Sequence, residues 1–133
     1  MGRINARAKG ASGERELAKW LQSKFKLDFT PQRNLEQVRS GGSDIIDFYP
    51  FYFECKRVET LDLQSWWNQV LFEVRKCEYH EPVPIVAFRQ NRKPWEFLIS
   101  ASNIGLDKGF LRLRDREFIG YANIVIASRE IKS

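Results

Sequence analysis

The chain has 133 residues, 43% of them hydrophobic and 14% aromatic, with a formal net charge of +5. That is one domain's worth of sequence with apolar mass enough for a real core, and aromatics at this density exclude a disordered chain. No apolar run reaches the roughly 18 residues of a membrane span, and the first residues lack the apolar stretch of a secretion signal, so a cytoplasmic protein without membrane contact is expected.

Residues 1–10 read as a flexible basic arm, since Arg3, Arg7 and Lys9 all precede the first acid, Glu14. A helix is expected from about Ser12 to Phe25, with Leu17, Ala18, Leu21 and Phe25 forming its apolar stripe at helical spacing. Glu14 falls on that same inward stripe. Favourable charge at a helix N-terminus accounts for it, and so does a carboxylate aimed from the helix into a site. Asn34–Val38 reads as a short strand. The glycines of the Ser40–Ser43 loop allow close backbone approach, either by a phosphate held at Arg39 or Ser40 or simply in a tight hairpin. Ile45–Phe48 and Phe51–Val58 read as strands around a Tyr49-Pro50 turn.

A long helix is expected from about Asp62 to Tyr79, its broad apolar face holding Trp66, Trp67 and Val70, with Gln69 at the border. Ile85–Phe88 suits a central strand, Arg89–Pro94 a basic turn and Trp95–Ile99 a returning strand. Ser100–Gly109 reads as a short helix or loop that Phe110–Leu113 continues. Phe118–Ile119 and Tyr121–Ala127 read as a final β hairpin. This order fits an α/β or α+β core with helices packed on a mixed sheet. Cys55 and Cys77 are too few for a disulfide framework or a zinc cluster, and the one histidine, His80, excludes chemistry that needs a pair.

The stretch with most chemical content runs from Ser40 to Lys56. On a strand Glu54 and Lys56 share one face, while Phe53 and Cys55 take the other. A carboxylate and an ammonium side by side, with Asp44 on the preceding turn, suit Mg2+ and a phosphate; a charged edge strand reads equally well. The second Glu-x-Lys, Glu130-Ile131-Lys132, has no such turn ahead of it and reads as surface. Basic clusters at Arg89, Arg92 and Lys93 and at Lys108, Arg112, Arg114 and Arg116 favour a polyanionic partner.

Lys9-Gly-Ala-Ser-Gly-Glu-Arg-Glu-Leu17 resembles the opening of archaeal-type Holliday-junction resolvases. Arg39-Ser-Gly-Gly-Ser-Asp44 followed by Glu54-Cys-Lys56 resembles the motif of the PD-(D/E)xK nuclease superfamily. Phe53–Val58 with Leu63 and Trp66–Gln69 is similar to phage-borne resolvase-like members. Ser43 stands where the superfamily motif has proline, and Asp47 competes with Asp44, which matches the motif position better.

The resemblance implies an α/β, restriction-endonuclease-like fold with an αβββαβ core, as a single nuclease domain over 1–133. It implies a catalytic set of Glu14, Asp44, Glu54, Lys56 and Gln69. Asp44, Glu54 and the Cys55 carbonyl would hold Mg2+, or Mn2+ in its place, and Glu14 would complete the carboxylate ring through a second metal or a bound water. Lys56 would orient the attacking water or offset charge on the phosphate. The implied activity is hydrolysis of DNA four-way junctions by a homodimer, with Arg3, Arg7, Lys9, Arg39, Ser40, Arg57, Arg89, Arg92 and Lys93 on the DNA. No residue displays the dimer interface; Trp66, Trp67 and the late β segment are the candidates.

Overall fold

The computed structural model describes residues 6–33, 43–77 and 81–132, with side chains for 11–33, 43–77 and 81–130. The main helices and strands run in the order α1 (Ala6–Lys24), β1 (Phe51–Arg57), α2 (Leu63–Val74), β2 (Val83–Arg89), β3 (Glu96–Ser100), β4 (Phe110–Arg114) and α3 (Asp115–Lys132). The four strands form one mixed sheet in the order β1-β2-β3-β4. β1 and β2 are parallel, with Glu54 opposite Val86 and Lys56 opposite Phe88. The β2–β3 and β3–β4 pairs are antiparallel. Parallel neighbours need a crossover, and α2 supplies it.

Strand alternation sorts the core into two layers. Phe51 and Phe53 face the layer of α1 and α3, where they are buried with Leu17, Leu21, Phe97 and Phe118. Tyr52 faces α2, where it is buried with Trp66, Trp67, Val70 and Phe88. The two tryptophans are thus core residues under α2. β1 is covered on both faces, and its four leading residues, Phe51–Glu54, are all buried. A carboxylate in that run, Glu54, is only 5% exposed.

The mixed sheet flanked by helices is the expected fold class, and several element expectations need correction. Residues 6–10 are the first turns of α1 rather than a flexible arm, so Arg7 and Lys9 are helical. Ala6, Ala8 and Ala11 explain this, alanine being the best helix former. Of the three strands expected between the first two helices, Phe51–Val58 is present as β1. Ile45 makes only an isolated bridge with Arg33, and the 34–38 segment, like Arg3, Arg39, Ser40 and His80, lies outside the described residues. Phe110–Leu113 belongs to β4, paired along β3, not to a continued helix.

The final segment is α3, not a hairpin. Its β-branched Ile119, Ile124, Val125 and Ile126 favour a strand, but packing overrides them. Phe118 and Ala122, one turn apart, are both fully buried, and the Phe118 ring stacks on Phe97 with centroids 3.9 Å apart. Acids at Asp115 and Glu117 favour the helix start. Glu117 also reaches back to accept the Arg114 N–H at 2.7 Å, half of a capping box.

Gly13 sets how closely α1 approaches β1. A Cβ at Gly13 would lie 2.7 Å from the Arg57 Cβ and 3.3 Å from its Cγ. Alanine gains up to about 1 kcal/mol in helix propensity, whereas overpacking costs about 1–3 kcal/mol. Gly13→Ala is therefore expected to lower the denaturant midpoint in equilibrium unfolding. A raised midpoint would show that the helix has room to spare.

Candidate active site

Contacts to the main chain build the site along the edge of β1 that faces away from β2. The Asp44 N–H donates to the Phe53 carbonyl at 2.7 Å. The Phe53 N–H donates to Ser43 Oγ at 2.8 Å, and the Ser43 hydroxyl donates to the Ile45 carbonyl at 2.6 Å. The Cys55 N–H donates to Asp44 Oδ2 at 2.6 Å. Ser43, at the position of the motif's proline, thus makes hydrogen bonds that a proline ring has no hydroxyl to make. Asp44 is pinned beside β1 and 4% exposed, whereas Asp47 sits exposed on the following turn with φ 70°. In an extended strand a residue's N–H and C=O point to the same side, so the Cys55 carbonyl faces the edge that Asp44 occupies.

Glu54 and Lys56 project from β1 toward α2. Lys56 Nζ donates to Gln69 Oε1 at 2.8 Å, which ties the strand to the helix at the predicted glutamine. Glu14, from α1, accepts from Arg33 Nε at 2.9 Å. Its charge bears on both Asp44 and Glu54, so the expected acids share one electrostatic environment with Lys56. Burial, and then the Glu54 charge, raise the Asp44 pKa well above the ordinary carboxylate value, opposed by the Cys55 N–H. Burial pushes Glu54 from 4.5 up to about 7; Lys56 pulls it down, and Glu73 and Glu14 push it further up.

Among the described residues no hydrogen bond or ion pair holds the Glu54 carboxylate, and no three His, Cys, Asp or Glu side chains are grouped to hold a metal directly. Among the described residues the site thus holds two buried carboxylates, Asp44 and Glu54, with the Glu14 charge bearing on both. Two buried, mutually repelling carboxylates suit a hydrated ion such as Mg2+, which keeps several waters and takes one or two carboxylates.

The expected DNA-binding residues divide. Arg57 is 13% exposed and pairs with Glu16 at 3.1 Å, while Arg89 reaches the same Glu16 at 3.5 Å. These arginines clasp α1 to the ends of β1 and β2. Arg92 and Lys93 are exposed on the β2–β3 turn. The register Arg57 to Arg89 puts that turn at the Lys56 end of β1. With Gly13 against Arg57, Arg7 and Lys9 fall in the turns of α1 ahead of that contact. Sequence reasoning missed Glu16, Arg33 and Glu73. Glu73 was the most accessible of these, lying one helical turn beyond Gln69.

The family model described as "Phage putative PDDEXK endonuclease" matches residues 5–127. Among solved structures, Archaeoglobus fulgidus Hjc, a Holliday junction resolvase from an archaeal hyperthermophile, is similar at 21% identity. The match covers 78% of this chain and 85% of that one with a TM-score of 0.44, and so loose a likeness carries no assignment for this chain. No curated protein matches.

The Glu54 shift has a consequence for stability. Between 4.5 and about 7 the folded chain holds a proton at Glu54 that the unfolded chain has released. Stability from this group is thus full below that window and lost as pH rises through it. In metal-free buffer the wild type is expected to lose more of its thermal midpoint across the window than Glu54→Gln does. Equal losses would mean that Glu54 is not buried as a carboxylate.

Proposed function

Because the chain belongs to the phage PDDEXK endonuclease family, we propose that it is a divalent-metal-dependent DNA endonuclease that cleaves four-way junctions by phosphodiester hydrolysis, acting as a homodimer in a phage-infected cell. The observation that carries the hydrolytic reading is the pair of buried acids, Asp44 and Glu54, on one strand edge with Lys56 projecting beside them. The junction as substrate rests on the motif at Lys9–Leu17, and the dimer on the need for two centres to make two symmetric nicks.

In this reading Asp44, Glu54 and the Cys55 carbonyl hold Mg2+ or Mn2+. When bound, the ion acts as a Lewis acid on the scissile phosphate and supplies an activated water. Lys56 spends one of its three ammonium donors on Gln69 and keeps two for the phosphate oxygens or the attacking water. Arg33 holds the Glu14 carboxylate, whose charge bears on the same pair of acids. In-line displacement then leaves a 5′-phosphate and a 3′-hydroxyl. Arg7, Lys9, Arg92 and Lys93 supply a sequence-independent grip on the backbone.

Cleavage of a four-way junction and of linear duplexes built from the same arms tests this with Mg2+ present. The junction is expected to be cut and the duplexes spared, and Glu54→Ala is expected to bind the junction without cutting it. Equal cutting of duplex would remove junction selectivity. Undiminished cutting by Glu54→Ala would remove the catalytic assignment. Arg92→Ala and Lys93→Ala are each expected to weaken binding and to reduce the salt slope by about 1; an unchanged slope would clear the turn of phosphate contact.

A further inference from the structure

The catalytic face of β1 continues onto α2 further than the motif does. As the crossover between parallel neighbours, α2 runs back against the direction of β1. Gln69 sits over Lys56, at 2.8 Å. Four residues along a helix advance about 6 Å, and two residues back along a strand retreat about 6.6 Å. Glu73 therefore comes over Glu54, and Cys77, just past the helix end, packs in the same layer as Tyr52. Glu73 is the helix acid whose charge bears on Glu54, and Cys77 is among the groups that bear on Tyr52.

Two further observations point to a ligand in that space. Glu54 is 5% exposed and holds no partner among the described residues, and the fully buried Tyr52 hydroxyl on the same face has no hydrogen-bond partner among them either. Among the described residues the Glu73 carboxylate pairs with the exposed Lys76 at 3.7 Å, and such pairs contribute little.

We infer that Glu73 is a positioning residue of the cation site, bridging through water to the divalent ion taken directly by Asp44 and Glu54, with the Tyr52 hydroxyl bonded to the same water. The inference rests on the metal-dependent reading above. It also accounts for the lack of a third directly ligating carboxylate among the described residues, because a bridging water sets Glu73 back from the ion. Outer partners of this kind govern metal affinity by about 10–100-fold.

Calorimetric titration of the purified full chain with Mn2+ alone, without DNA, tests it. Wild type is expected to bind Mn2+, Glu73→Gln to bind at least about tenfold more weakly, and Asp107→Asn, on an exposed loop, to match wild type. Equal affinity of Glu73→Gln and wild type would overturn the role of Glu73 and leave the Asp44–Glu54 site standing. An equal loss in Asp107→Asn would reduce the effect to net charge and overturn it as well. No binding by wild type would overturn both readings. Circular dichroism of each variant confirms that the fold is held in common.

Discussion

The structure turns on the short bond from the Cys55 N–H to the Asp44 carboxylate. It fixes an acid against the edge of β1 that faces away from β2, at the level of Glu54, where both are withdrawn from water. Two carboxylates confined in this way have two ways to relieve their repulsion: one takes up a proton, or a cation sits between them. Burial and repulsion by neighbouring carboxylates push both carboxyls above their ordinary range, so each holds a proton more readily than a free carboxylate does. In the proposed function a divalent cation would satisfy both acids at once, with Lys56 beside them held by Gln69. The burial that disfavours two charges side by side is what a bound cation would offset.

The rest of the fold maintains that edge. β1 is buried on both faces by aromatic and aliphatic side chains, so its position is set by packing rather than by its charges. Gly13 lets α1 lie against Arg57, and the Glu16 clasp with Arg57 and Arg89 locks the helix to the ends of two strands. Glu14, from the same helix, is then presented to the site with Arg33 as its counter-charge. The arginines of the clasp are both paired with Glu16. The exposed Arg92 and Lys93 on the neighbouring turn are the better placed for a polyanion.

Much of this was legible in the sequence, for local reasons. Period-two alternation placed Glu54 and Lys56 on one face, and the Trp66–Val70 spacing marked a helix with a broad apolar face and Gln69 at its border. The long-range pairings were not legible. Nothing local in Glu14 names Arg33, nineteen residues away, and Glu16 finds Arg57 and Arg89 only through the fold. Propensity misled at α3, where β-branched residues mask the Phe118–Ala122 turn. Charge misled at residues 6–10, where basic side chains suggest mobility although the alanines favour helix. Glu73 was hidden differently: its helical position was readable, but its significance depends on α2 running antiparallel to β1.

The most direct test of a cation between the two buried acids is an anomalous difference map at the manganese edge from crystals of the chain grown with Mn2+. The expected result is a peak within coordination distance of Asp44 and Glu54 oxygens and of the Cys55 carbonyl. A map with no density between those acids, and the two carboxyls hydrogen-bonded to each other through a shared proton, would contradict it.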